Sequence, residues 1–202
     1  MADAWSPELR DGHVGLERLA RKHGLEWRES RLQSADWLAP WDATVPPGAP
    51  AAPPNFSAMV RRLNREAREH RMLPLAITYD GRFVGQITLA GIVWGSQRGG
   101  HLGYWVDRRY AGRGIMPTAV ALVSDYAFTK LGIHRIEINI RPENVPSRRV
   151  VEKLGFRDEG IRARYLHIAG DWRDHLCFAL TAEEIPAGLV ARWHALNASQ
   201  GG

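Results

Sequence analysis

The chain has 202 residues, of which 45% are hydrophobic and 24% charged, a balance that excludes a disordered protein and is typical of one globular domain. No apolar run approaches the roughly 20 residues of a membrane-spanning helix. Lys and Arg total 27 against 22 Asp and Glu, and the resulting net charge of +5 suits an anionic cofactor, nucleic acid or ribosomes equally.

The first third of the chain predicts a strand at 13–19, a helix at 22–32 and an amphipathic helix starting at Phe56. Five prolines within 45–55 remove backbone donors, so we expect a mobile surface loop there inside a single domain spanning 1–202. The outer face of the second helix is basic, with Arg61, Arg62, Arg65 and Arg68. A solvent-exposed helix face explains these arginines better than a nucleic-acid-binding surface does. We therefore expect no direct nucleic-acid binding.

The middle of the chain predicts consecutive antiparallel strands followed by a helix. Asp80-Gly81 is a hairpin-turn signal between a strand at 73–79 and one at 82–94. After a turn at 95–100 comes a strand at 101–107. A helix is predicted at 115–131, with Gly132 as its C-terminal stop. The remaining elements are a strand at 135–141, a short helix at 147–154 and a hairpin of strands at 161–168 and 172–180.

The segment Arg109-Tyr-Ala-Gly-Arg-Gly114 lies between a predicted strand and a predicted helix. Gly112 and Gly114 let a ligand approach the backbone closely, and the first amides of the helix are unpaired. Such a helix N-terminus binds anions, and Arg109 and Arg113 add positive charge. We therefore expect a pyrophosphate here, although a tight turn without a ligand has the same pattern. The residues that follow exclude a Walker-type loop and the dinucleotide fingerprint.

The wider pattern resembles the GNAT N-acetyltransferase superfamily, whose cofactor loop reads Arg/Gln-x-x-Gly-x-Gly/Ala. It is most similar to the RimJ/RimL branch of ribosomal-protein alanine and serine N-terminal acetyltransferases. Ordered matches extend from about residue 73 to 181. The matching stretches, besides the loop with Ile115-Met116, are Leu102-Gly-Tyr-Trp-Val106, Arg141-Pro-Glu-Asn144 with Ser147, Glu152-Lys-Leu-Gly-Phe156 and Gly170-Asp-Trp-Arg-Asp-His175.

The resemblance implies an α/β fold of GNAT type. Its central sheet is mixed and mostly antiparallel, flanked by helices. One parallel strand pair, 101–107 with 135–141, splays at the acetyl-CoA site. The expected acetyl-CoA contacts are Tyr104, Trp105 and Val106 along the pantetheine, Arg109, Gly112, Arg113, Gly114 and Ile115 around the pyrophosphate, and Asn144 and Ser147 near the leaving sulfur.

Asn144 and Ser147 have a second interpretation, because both residue types cap helices. Ser147 could cap its helix and also give a proton to the departing thiolate, so we count it among the catalytic candidates. An apolar strand segment such as Tyr104–Val106 can likewise pack its side chains into the core while its backbone contacts the cofactor.

The resemblance implies a primary amine as acceptor. An α-amino group titrates at about 7.7–8.0, so a modest base suffices. His101 opens its strand where relatives carry glutamate, and a pKa of about 6.5 suits the task. Glu137, on the neighbouring strand, is the second candidate; either residue could instead be a plain surface residue. Arg162 and Arg164 replace the acid that some relatives carry before Tyr165.

Other chemistry is not expected. The histidines lack metal-ligand spacing, so we expect no metal. Cys177, the only cysteine, excludes an internal disulfide, and its apolar strand predicts a buried residue rather than an acetyl-cysteine. The first residues have no basic start followed by an apolar stretch, which argues against a secretory signal and for a cytoplasmic protein without membrane contact.

The expected acceptor is the N-terminal α-amino group of a protein or peptide, with ribosomal proteins as the partner class that the resemblance implies. A small amine such as an aminoglycoside, polyamine or amino acid is the alternative within the same chemistry. An inactive module that binds acetyl-CoA as a sensor or scaffold is the alternative outside it.

Overall fold

Alternation of apolar and polar residues along the strands builds one eight-stranded sheet, in the order β1-β2-β3-β4-β5-β6-β8-β7. The computed structural model describes residues 5–200, so both ends of the expected 1–202 domain, including the first residues used to argue against a signal, lie outside it. The strands are β1 (Leu9–Asp11), β2 (Val14–Arg18), β3 (Leu73–Tyr79), β4 (Arg82–Val93), β5 (Gly99–Val106), β6 (Arg135–Ile140), β7 (Arg157–Ile168) and β8 (Asp171–Thr181).

The helices cover the two faces of this sheet. They are α1 (Gly24–Gln33), α2 (Ala35–Leu38), α3 (Phe56–Arg68), α4 (Ile115–Tyr126), α5 (Val145–Leu154) and α6 (Leu189–Gln200). Residues of α4, α5 and α6 join the main core against one face of the sheet. Residues of α3 form a smaller core on the other face, with Trp27 of α1 packed against it. None of the helices between residues 5 and 200 is both long and apolar enough to cross a bilayer.

The mixed, mostly antiparallel sheet with one parallel pair is confirmed. The Asp80-Gly81 hairpin joins β3 to β4, and Ala169-Gly170 joins β7 to β8. Residues 45–55 contain no regular element, as the prolines predict, and the mobility of that loop stays a prediction. Just before it, Ala43 forms an isolated bridge with Ile168.

One predicted helix end is confirmed and one predicted helix start was wrong. The helix expected at 115–131 is α-helical to Tyr126 and continues as a π-helical turn over Ala127–Leu131, and Gly132, with a φ of 67°, ends it as predicted. The helix expected from Ser147 begins at Val145, because Asn144 supplies the cap and Pro146 is tolerated in a first turn. The predictions omitted β1 and α6 altogether.

The C-terminal helix α6 is held by side chains of α4. Asp125 accepts hydrogen bonds from the backbone amides of Leu189, at 2.6 Å, and Val190, at 3.0 Å. Trp193, which is buried, donates from its indole nitrogen to the Thr118 hydroxyl at 2.9 Å. The first turn of α6 is therefore capped by a residue distant in sequence.

Replacing Asp125 by Ala should lower the free energy of unfolding by about 1–2 kcal/mol, because two amides at the start of α6 lose their acceptor. Urea denaturation at pH 7 measures this loss. Asp36→Ala, at an exposed site, serves as the matched control and should stay within about 0.5 kcal/mol of the wild type. Equal stabilities for the two variants would show that α6 does not depend on this cap.

Candidate functional site

A wedge opens in the sheet where the two parallel strands part. β5 and β6 pair only at Gly99 with Arg135, Gly100 with Ile136 and His101 with Glu137. Beyond the third pair the strands separate, although β5 runs on to Val106 and β6 to Ile140. The edges that face each other there have lost their ladder hydrogen bonds, so backbone groups become available to a ligand.

The side chains of β5 alternate between the two faces of the sheet. Tyr104 and Val106 pack against the main core, whereas Trp105 lies with the smaller core, 5.9 Å from the Phe83 ring and 5.3 Å from the Arg31 guanidinium. These three expected cofactor contacts therefore use their side chains largely for packing. What they can offer a ligand along the wedge is their backbone.

The glycine loop between β5 and α4 has the geometry of an anion site. Gly112 and Gly114 have φ values of 80° and 75°, a region that favours glycine. No side chain caps the start of α4, and the first amides of a helix have no partner within it. A Cβ added at Gly112 would meet no atom within 4 Å, so the space in front of the loop is open. The Ile115 side chain is buried, which leaves its amide for a ligand.

Arg109 makes two ion pairs that the sequence did not predict. Its guanidinium donates to the Asp107 carboxylate at 2.7 Å and to Glu29 of α1 at 2.8 Å, which raises the pKa of Arg109 and compensates its charge. Arg113 donates to the Arg109 carbonyl at 3.2 Å and lies 5.2 Å from the Tyr110 ring. No carboxylate among residues 5–200 forms an ion pair with Arg113, so Arg113 supplies the uncompensated charge beside the loop.

Asp107 is a residue that the sequence-based predictions missed. Its side chain is fully buried at the end of β5, where it accepts from the Arg109 amide at 2.9 Å as well as from the guanidinium. Burial alone would raise its pKa, but hydrogen bonds from Arg109 and Ser30 outweigh burial and lower the pKa. An acid directly before a basic glycine loop was the available signal.

On the main-core side of the wedge, β5 and α5 are joined by a hydroxyl pair. The Tyr104 hydroxyl lies 2.9 Å from Ser147 Oγ. Burial raises the pKa of Tyr104 to about 12, partly offset by the Ser147 hydrogen bond, so the phenol keeps its proton. Asn144 accepts from the Ser147 amide at 3.2 Å and is the cap of α5. The expectation that Ser147 also caps was wrong, because Ser147 lies inside the first turn.

The two base candidates lie side by side at the mouth of the wedge. His101 and Glu137 are register partners in the last pair before the strands part. Desolvation lowers the pKa of His101; nearby Glu137 opposes that shift, and Arg162 adds to it. The imidazole is therefore neutral, and able to accept a proton, at neutral pH.

Glu137 is held more tightly than His101. One of its carboxylate oxygens accepts from Arg135 at 3.0 Å and the other pairs with Arg162 at 2.8 Å. Cys177 is buried, as predicted, and its thiol lies 3.8 Å from the same carboxylate. Burial raises the pKa of that thiol, which disfavours a thiolate. Across residues 5–200 no group of three or more His, Cys, Asp or Glu side chains could hold a metal ion.

Comparison with known proteins identifies the family. The family model for the acetyltransferase (GNAT) domain matches residues 16–157. RimJ of Mycobacterium smegmatis, solved in complex with a CoA disulfide, is 38% identical, with 95% of this chain and 94% of that chain covered and a TM-score of 0.85.

Two curated bacterial proteins are similar over part of the chain. A probable N-acetyltransferase of Bacillus subtilis, YjcK, is 44% identical over 50% of this chain. The ribosomal protein uS5-alanine N-acetyltransferase of Escherichia coli is 34% identical over 54% of it. The chain spans a little over half the length of these curated relatives, 56% in each case.

Asp107→Asn should lower the free energy of unfolding at pH 7 by about 1–3 kcal/mol, because the amide cannot replace charge-assisted hydrogen bonds to Arg109. The pKa of Asp107 is lower in the folded protein than in the unfolded chain, where it is about 3.9. The stabilisation by its charge is therefore fully present above about pH 3.9 and is lost as the pH falls through the pKa of the folded state. Urea denaturation at pH 7 and at about pH 3 measures this effect. The difference in free energy of unfolding between the wild type and Asp107→Asn should be smaller at the lower pH.

Glu29→Gln is the matched control, since it removes the other, half-exposed carboxylate on Arg109. Solvent screens that pair, so a loss below about 1 kcal/mol is expected. A gap between wild type and Asp107→Asn that stayed constant with pH would contradict the role given to the Asp107 charge.

Proposed function

The chain belongs to the GNAT acetyltransferase family and is an acetyl-CoA-dependent N-acetyltransferase, and we propose that its acceptor is the N-terminal α-amino group of a protein, of the ribosomal-protein alanine or serine type. The name of the E. coli relative supports this acceptor class. An acceptor of that kind implies that the enzyme acts in the cytoplasm.

The observation that carries the proposal is the charge at the wedge. Glu137, the carboxylate beside His101, is bound by Arg135 and Arg162 and so has no spare negative charge. Polyamines and aminoglycosides are polycations, and their recognition calls for uncompensated carboxylates. A peptide N-terminus brings a single amine followed by a neutral backbone, which tolerates these arginines.

The residues present fit acetyl-CoA, which supplies an activated acetyl thioester when bound. In the proposal the open amides at Gly112–Ile115, with Arg113, hold the pyrophosphate, while Arg109 and Asp107 fix the loop. The backbone of Tyr104–Val106 lines the pantetheine, with Asn144 capping α5 beside it. Ser147 Oγ, supported by the Tyr104 hydroxyl, holds the proton that the departing sulfur needs.

His101 is the proposed base. In a strand, side chains two residues apart share a face, so His101 lies on the side of Gly103 and Trp105, opposite Tyr104. The proton leaves the amine on one face of the sheet and is returned to sulfur on the other. Glu137 is the second candidate, but its ion pairs with arginines favour a structural role.

Acceptor class is tested by incubating the protein and acetyl-CoA with hexapeptides that begin with Ala, Ser or Thr and contain one internal lysine. Mass spectrometry with fragmentation should place the acetyl group on the N-terminal nitrogen. The same peptides with a blocked N-terminus, together with spermidine, are the controls and should stay unmodified. Acetylation of lysine or spermidine alone would refute the proposal and favour the alternative acceptors.

His101→Ala should lower kcat by about 100-fold or more, because general-base catalysis contributes about 100- to 10,000-fold. The KM for acetyl-CoA should change little, since the pyrophosphate loop is separate. The acid limb of the pH profile of kcat/KM, which reports protonation of a base with a pKa below about 6.5, should disappear.

Two further variants make the base experiment decisive. His134→Ala removes an exposed histidine that pairs with Glu183, and should leave kcat unchanged. Glu137→Gln should lower stability more than kcat, because it breaks the contacts with Arg135 and Arg162. A loss of kcat in Glu137→Gln without one in His101→Ala would assign the base to the carboxylate. If neither variant lost more than a few-fold, no protein base would be needed.

A further inference from the structure

The side-chain oxygen of Asn139 is unpartnered beside the wedge. This Oδ1 atom is buried and accepts no hydrogen bond from the residues that the structure describes. Leaving a buried polar atom unpaired costs about 1–3 kcal/mol, so such an atom calls for an explanation. A hydrophobic residue of similar size would have avoided that cost.

The register shows what Asn139 faces. It lies two residues beyond Glu137 on β6, on the same face of the strand, just where β5 has moved away. Gly103 holds the corresponding position on β5, and a Cβ added there would meet no atom within 4 Å. The space between the two strands on this face is therefore open, with His101 at one end and Asn139 along one side.

The chemistry of an amine identifies what fits this space. A neutral primary amine directs its lone pair at the carbon it attacks, which leaves two N–H groups in need of acceptors. One of these N–H groups donates its hydrogen bond, and later its proton, to the base His101. The other needs a second acceptor, and its hydrogen bond strengthens as positive charge develops on nitrogen.

We propose that Asn139 binds the acceptor, its Oδ1 accepting a hydrogen bond from the attacking nitrogen. The inference rests on the proposed function, because it assigns a subsite within the same wedge. Rotation about the last torsion of Asn139 would present Oδ1 to the open space, and it costs Oδ1 no hydrogen bond, since that atom accepts none. Recognition by a neutral oxygen also suits an amine that must be uncharged to react.

The test uses the full chain with acetyl-CoA and a hexapeptide beginning with Ala. Asn139→Leu keeps the size of the side chain and removes the acceptor, while Asn139→Ala removes it without bulk. Both should lower kcat/KM for the peptide by about tenfold or more and leave the KM for acetyl-CoA within about twofold. Asn139→Asp, which retains an acceptor oxygen, should recover part of the loss relative to Asn139→Leu.

Stability separates this role from a structural one. Because Oδ1 has no partner in the folded protein, Asn139→Leu should not lower the midpoint of urea unfolding. Ser124→Ala is the matched control: the Ser124 hydroxyl is also buried without a partner, but it lies on α4 within the main core. That variant should leave both stability and kcat/KM unchanged.

Full kcat/KM for the peptide in the Leu and Ala variants would overturn the proposal. So would a fall in stability accompanied by equal losses for both substrates. If the wild-type protein acetylates only a small amine, the proposed acceptor is wrong, and the same comparison made with that amine still decides the role of Asn139.

Discussion

The early separation of two parallel strands is the constraint on which the rest of this molecule depends. β5 and β6 share only three register pairs, although each continues beyond the last of them. Strand edges without a ladder are unfavourable in a protein interior unless something else satisfies their backbone groups. A sheet that stays open at its centre therefore needs strong support elsewhere, and here residues of α4, α5 and α6 join one continuous core against one face of the sheet.

Electrostatic contacts help to position the glycine loop. Asp107 ends β5 in a fully buried site and binds both the backbone and the guanidinium of Arg109, which in turn reaches Glu29 on α1. A helix from the opposite face is thereby tied to the loop that begins α4. In the proposed site, the charge of Arg109 is already compensated by these two carboxylates, so the open amides and Arg113 are the groups proposed to bind the anion.

Much of the architecture was predictable because it follows from local rules. Asp80-Gly81 requires a tight turn, Gly132 ends its helix with a positive φ, and the alternating isoleucines of β6 define a buried face. The glycine loop was predictable for the same reason. Features that depend on distant contacts were not: α6 is capped by Asp125 from another helix, and the ion pair of Asp107 and the unpaired oxygen of Asn139 emerge only when β5, β6 and α1 are placed together. Ser147 is an intermediate case, since its place in a short helix could be predicted while its hydroxyl contact with Tyr104 could not.

In the proposed mechanism, the alternation of side chains along β5 would let one gap serve two opposed proton transfers. His101 and Gly103 lie on one face of β5 and Tyr104 on the other, so a base and a hydroxyl pair are separated by the thickness of the sheet. The two groups differ as the chemistry requires. Desolvation keeps the imidazole neutral and able to accept a proton, whereas burial keeps the phenol protonated. Because Arg135 and Arg162 pair with Glu137 on the first of these faces, the negative charge of its carboxylate is compensated. Under the proposals made above, the amine would be recognised in its uncharged form, to which a neutral oxygen such as that of Asn139 is suited.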